Sequence, residues 1–288
     1  MCCFPRQRML LVLAVLAWAG CTSPIHKGKS LLAPAQMSPD AVVLDVFFTR
    51  FPFGDAEAND QLWQDTDEQC FPAELRRRLA QNGFRVGLLK GQIPCELFRL
   101  LELNDKPAPT GGASQLDVSQ LASEPRVIRR RMPLRSGLRG QIIASEVYSE
   151  LPVLVSQAGE LCGQRYAQAQ GLLAITAFPQ NDGRVRLELV PELHHNQPRQ
   201  HWVGDQGVLR LEAERPKRVF DDLGISSTLA PGDILLLSSL PLRPGSLGHY
   251  FFTENKGRLE QKLLVIRLAQ TQRSGLFSAP ETSPGEEQ

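Results

Sequence analysis

Apolar residues fall along this chain in two rhythms, one helical and one alternating. Ala41–Phe48, AVVLDVFF, is dense in β-branched and aromatic residues and predicts a strand. Asn59 or Asp60 can cap a short helix over 61–68. In PAELRRRLAQNG, Pro72 suits a first helical turn, Leu75 and Leu79 are four apart, and Asn82-Gly83 is a C-terminal stop. Phe84–Leu89 predicts a second strand. Pro94 opens another helix, CELFRLLEL, running to about Leu103. Residues 41–103 therefore predict a small α/β unit in the order strand–helix–helix–strand–helix.

Asn104–Ser114, NDKPAPTGGAS, is a linker by composition, so a boundary is expected over 104–115. From Ala122 onward the helical period mostly gives way to short β runs. Val127–Leu134, Gln141–Tyr148 and Leu151–Val155 come first, then Leu172–Phe178 and Val185–Val190 around Asn181-Asp182-Gly183. Asp-Gly between two alternating runs is a hairpin signal. In VRLELV the apolar residues Val185, Leu187 and Leu189 face one way, and Arg186 and Glu188 the other. Val208–Ala213 alternates similarly, while Ile234–Ser238 and Lys262–Leu268 are near-continuous apolar strands. The expected class is α+β: a small N-terminal α/β unit followed by a mostly antiparallel β domain over 116–272. Residues 273–288 are rich in Ser, Pro, Gly and Glu and predict a disordered tail.

Charge removes some functions from consideration. Lys plus Arg number 32 and Asp plus Glu 31 among 288 residues, and aromatics are 7%. A neutral chain with few aromatics has no general electrostatic or stacking reason to bind nucleic acid, and no nucleic-acid partner is expected.

The N-terminus reads as an address. Arg6 and Arg8 precede an uninterrupted apolar run, Met9–Ala19, of eleven residues. A bilayer span needs about 20, so this is the core of a signal peptide over 1–20. Ala19-Gly20-Cys21 resembles the bacterial lipoprotein signal, which implies lipidation at Cys21, a tether over 21–40 and a membrane partner held through a lipid anchor. Thr22, rather than Asp, after the cysteine implies sorting to the outer membrane. A simple secretory signal and an uncleaved anchor are the plainer alternatives. Cys70, Cys95 and Cys162 remain. They read as three small buried residues, or Cys70 and Cys95 as a bridge in an oxidising compartment.

Candidate chemistry is sparse. Neither phosphate-loop motif occurs, nor a zinc-ribbon pair, and no cofactor is expected. His194, His195, His201 and Glu192 have metal-ligand residue types. However, adjacent histidines on an extended chain point to opposite faces, so HHNQPRQH reads as a polar loop. Ser246, in a tight glycine turn beside His249, lacks the nucleophile elbow of a hydrolase. No catalytic or metal residue is assigned. Arg129, Arg130 and Arg131, with Arg126, Arg135 and Arg139, form one local basic patch. It reads as an exposed β edge kept soluble by charge, or as candidate interaction residues for an acidic partner or lipid head groups.

Four segments carry a further resemblance. They are Gly171 with LLAITAFPQNDGRVRLELVPEL, LAPGDILLLSSLP from Leu229, GSLGHYFF from Gly245 and QKLLVIRL from Gln261. In this order they resemble the C-terminal domain of bacterial secretins, the outer-membrane pore proteins of type II and III secretion systems. Ser238-Ser239 stands where that family has a glycine pair, and Ala269-Gln270 where it has Thr-Pro. The chain as a whole looks like exported lipoproteins of planctomycete-type bacteria, a likeness that carries no activity. The resemblance implies a non-enzymatic structural or assembly component of the outer membrane or periplasm, with a homo-oligomer or a secretion-system protein as partner. It also implies that Ile234–Ser238 pairs with Lys262–Leu268. A monomeric binding module and a hydrolase using the His194/His201 or His249 region are the alternatives.

Overall fold

A computed structural model describes residues 40–91, 93–101, 127–157, 159–205 and 208–271. The signal peptide 1–20, Cys21, the tether 21–40 apart from Asp40, Arg126, the linker 104–115 and the tail 273–288 lie outside the described residues.

Most of the described chain is antiparallel β. The elements are β1 (Ala41–Pro52), α1 (Ala56–Gln64), α2 (Ala73–Gln81), β2 (Phe84–Leu89), α3 (Cys95–Leu100), β3 (Val127–Arg135), β4 (Arg139–Ile143), β5 (Tyr148–Gln157), β6 (Glu160–Pro179), β7 (Val185–His194), β8 (Arg199–Asp205), β9 (Val208–Glu214), β10 (Lys217–Val219), β11 (Ile225–Leu229), β12 (Ile234–Ser239), α4 (Leu247–Phe252), β13 (Thr253–Asn255) and β14 (Leu259–Thr271). Sheet I has the order β2-β12-β14-β1-β3, with β13 also on β14. Sheet II has the order β10-β7-β6-β4, with β11 on β7 and β5 on β6. β8 and β9 form a separate two-stranded ribbon.

The inner strands of sheet I are buried on both faces, and their sequence says why. In β12 and β14 the residues alternate between two cores. Leu235, Leu237, Leu264 and Ile266 face sheet II, while Ile234, Leu236, Leu263 and Val265 face Leu62 and Trp63 of α1 and Leu97 of α3. Strands covered on two sides need continuous apolar runs, which ILLL and LLVI supply. The pairing of β12 with β14 sets Leu237 opposite Leu264 and Ser238 opposite Leu263, as the sequence led us to expect. The Asp182-Gly183 hairpin also forms, joining β6 to β7 with Gly183 at φ 82°.

Residues 41–103, expected as a unit by themselves, do not close a sheet of their own. β1 lies between β14 and β3, and β2 pairs with β12, so both strands are completed by the 116–272 segment. The apolar faces of β1 and β2 find their hydrogen-bonding neighbours far along the chain, not in each other.

Local corrections follow from caps and hydroxyls. The first helix begins at Ala56, not after Asn59 or Asp60, because the Asp55 carboxylate accepts from the Ala58 amide at 3.0 Å. The Gly245–Phe252 segment is a turn followed by α4, capped by Ser246. Gln141–Tyr148 is interrupted: the amides of Ala144 and Ser145 both donate to the Gly171 carbonyl. Ser238, where the resembled family has glycine, donates to the Lys262 carbonyl at 2.8 Å and accepts from the fully buried Gln261 amide at 3.0 Å. Cys70, Cys95 and Cys162 are free thiols and all exposed, so the reading of them as buried fillers fails.

Two glycines are dictated by close approach. A Cβ on Gly171 would sit 2.7 Å from the Phe251 ring, and one on Gly248 would sit 2.2 Å from the Gly83 carbonyl oxygen. Both belong to the segments that carry the resemblance.

Candidate interaction surface

The three arginines of the basic patch lie on β3, which ends sheet I and pairs on one side with β1 alone. Alternation splits them. Arg129 and Arg131 share a face with Asp45 of β1, and Arg130 points to the other. Asp45 is 1% exposed and sits beneath three guanidiniums. Its Oδ2 accepts from Arg129 at 3.2 Å and from Arg267 of β14 at 2.9 Å, and its Oδ1 lies 3.5 Å from Arg131 Nε. Burial alone would push this carboxyl up. The hydrogen bonds and charges of Arg267 and Arg129 outweigh it and hold the pKa below the usual carboxylate value. One carboxylate thus fixes three cations whose heads remain partly in water, and two positive charges stay in excess. Arg129 also lies over the Phe47 ring, 5.3 Å from its centre. Arg130 is exposed and belongs to no such cluster among the described contacts.

The second part of the surface is two β ribbons. β6 is 20 residues long, but only its second half joins β7 and β4. Its first half pairs with β5 alone. The change comes at Gln168, a non-glycine residue at φ 48°, where pairing steps from Glu150–Ala167 to Tyr148–Ala169. The β5–β6 ribbon buries Leu151, Val153 and Val155, and exposes Leu154 and Leu161 on its other face. Asn82, just after α2, holds it down. Its Nδ2 donates to the Ser156 carbonyl and its Oδ1 accepts from the Ser156 amide, both at 2.9 Å. Gly245 accepts from the Leu154 amide at 2.9 Å.

The β8–β9 ribbon has no third strand among the described residues. Trp202 faces Leu211 across it, and these side chains are 67% and 46% exposed. A bare two-stranded ribbon is marginally stable in water, and an exposed indole on one invites cover. The sequence reads HHNQPRQH, residues 194–201, as a polar loop and predicts a strand only at Val208–Ala213. The missed signal was Gly207 between the short runs Trp202-Val203 and Val208-Leu209.

The remaining sequence candidates are accounted for by packing. Glu192, 1% exposed, pairs with Arg139 and lies 3.1 Å from His194 Nε2. His195 turns the other way, against the Tyr166 ring at 5.0 Å, and burial together with Arg215 lowers its pKa. The His201 side chain lies outside the described part. Ser246 Oγ donates to the Arg243 carbonyl at 2.6 Å and accepts from the backbone amide of His249 at 3.3 Å, which is a helix cap. The His249 ring meets Phe53 and Tyr250 edge-on, and burial lowers its pKa. Among the described residues no group of three metal-ligating side chains occurs, and no helix is long and apolar enough to cross a membrane. No protein-family model matches the chain, and no curated protein sequence matches it.

Proposed function

We propose that this chain is a non-enzymatic, lipid-anchored assembly component related to secretin-type pores, whose copies associate through the β5–β6 and β8–β9 ribbons. The observation that carries this reading is the β8–β9 ribbon. Among the described residues, two strands with no sheet behind them hold Trp202 and Leu211 in water. A neighbouring copy that added a strand to either edge would satisfy the unpaired backbone groups and cover the indole together. Supporting it are the four segments in secretin order, the pairing of β12 with β14, and the Ala19-Gly20-Cys21 signal. The Arg129–Arg131 pair, held in place by Asp45, then faces outward for an acidic partner or head groups.

Size in detergent tests it. The full-length chain should run as ring-sized particles that resist heating in SDS, and Trp202→Asp should reduce them to monomers with an unchanged melting temperature. A wild-type monomer across micromolar concentrations would sink the reading and leave a single-copy binding module. Separately, palmitate should label the wild type, and Cys21→Ser should abolish the label.

A further inference from the structure

Where β1, β13 and β14 come together, three cations and two carboxylates cluster. Arg50 of β1 stands directly opposite Lys262 of β14. Like charges facing each other across an antiparallel pair repel. Arg50 turns to Glu254, Nε to Oε2 at 3.2 Å. Lys256 reaches the same carboxylate at 2.8 Å and Glu146 at 3.5 Å. Lys262, 7% exposed, donates to the Ala144 carbonyl and makes no ion pair among the described residues. An ammonium has three donors, and one is used. Of the three cations in this cluster, Lys262 is the most buried and the one that reaches no carboxylate.

A hollow of about 330 Å³ opens onto this cluster. Phe48, Ile128 and Ile143 give it apolar lining, beside Glu146 and Glu254. A buried charge is costly until it is paired. Glu254 and Glu146 line the same hollow, so a singly charged ligand is favoured over a doubly charged phosphate, which those carboxylates would repel more strongly. The apolar lining favours a hydrocarbon tail. We propose that the hollow at Lys262 is a binding site for a small monocarboxylate with an apolar tail, its carboxylate on the Lys262 ammonium and its tail along Phe48, Ile128 and Ile143. Burial holds the Lys262 pKa down, to about 8, and a bound anion would push it back up. The proposal does not depend on assembly into a ring.

The test uses hexanoate on the full-length chain, with hexan-1-ol and equal ionic strength of chloride as controls. At about 10 mM, hexanoate should raise the melting temperature by about 3 °C where both controls leave it unchanged, the size of effect that a roughly millimolar ligand produces. Lys262→Met keeps the length of the stem and removes the charge. It should fold, melt no lower than the wild type, and lose the hexanoate shift. Ile143 is half-exposed, so Ile143→Glu should also fold. A carboxylate placed there should weaken hexanoate binding, measured by calorimetry, by about tenfold or more. A wild-type shift no larger with hexanoate than with chloride overturns the proposal, as does a Lys262→Met protein that still binds hexanoate. If Lys262→Met does not fold, undiminished binding by Ile143→Glu overturns it.

Discussion

Lys262 carries its ammonium into the seam between the two sheets, and its titration should be visible in stability. Burial lowers its pKa from the usual 10.5 to about 8. Below pH 8 the folded and unfolded chains are both protonated, and folding bears the whole cost of the buried charge. Between about 8 and 10.5 the folded chain has lost a proton that the unfolded chain keeps, so stability rises with pH, by at most about 3 kcal/mol. Urea midpoints from about pH 7 to about pH 10 should climb in the wild type and lose that climb in Lys262→Met, with the Cys70 thiol, pushed up by burial, acting in the opposite sense in both proteins near the top of the range. Above pH 10 the rise should be opposed by Tyr148, which burial pushes up to about 12, because there the folded chain retains the extra proton. Two positions on, Leu264 is fully buried between β12 and β1. Leu264→Asp places an unpaired carboxylate there at a cost of roughly 3–5 kcal/mol and should abolish cooperative melting, whereas Arg130→Ala should cost under about 0.5 kcal/mol. The apolar core could be read from the run LLVI itself. The buried polar residues could not. Lys262, Gln261 and Asp45 look like surface residues until the partners that bury them, 20 to 220 residues away by order of magnitude, are brought together.

Among the elements, Asn82 behaves as a short piece of strand. Its amide offers one donor and one acceptor to Ser156, as a paired strand residue would. Asn82→Ala should leave both Ser156 groups unpaired and cost about 1–3 kcal/mol. Hydrogen exchange should speed up across Leu151–Gln157 while β12 and β14 stay protected, because openings follow cooperative segments. If exchange rose equally in both, Asn82 would be a global core residue and not an anchor of this ribbon. Strands with strict alternation or unbroken apolar runs were legible, as β7 and β12 illustrate, and so was the Asp182-Gly183 turn. α2 was legible through Leu75, Leu79 and its Asn82-Gly83 stop. The start of α1 was misplaced by several residues, because Asp55, Asn59 and Asp60 are all competent caps and only Asp55 meets the right amide. β8 escaped because a solvated ribbon offers no continuous apolar run to notice.

For the molecule as a whole, the Pro- and Gly-rich stretch 104–114 suggested a division that hydrogen bonding crosses. Local periodicity reports that β1 is an apolar strand, but not that its neighbours are β14 and β3. A fragment of residues 116–272 lacks β1 and should remain unfolded by circular dichroism. A fragment that melts cooperatively alone would mean that β1 is dispensable to sheet I. The placement of β1 also sets the order of events in synthesis. Asp45 and Arg267 are 222 residues apart, yet they meet within sheet I. A growing chain makes Asp45 222 residues before Arg267, so β1 can pair with β3 but lacks its second neighbour until β14 follows. Contacts of such separation fold slowly, and an unshielded strand with two greasy sides is an aggregation hazard while it waits. This protein should therefore need protection from aggregation until β14 is made, and a product released before Leu259 would leave one edge of β1 unpaired.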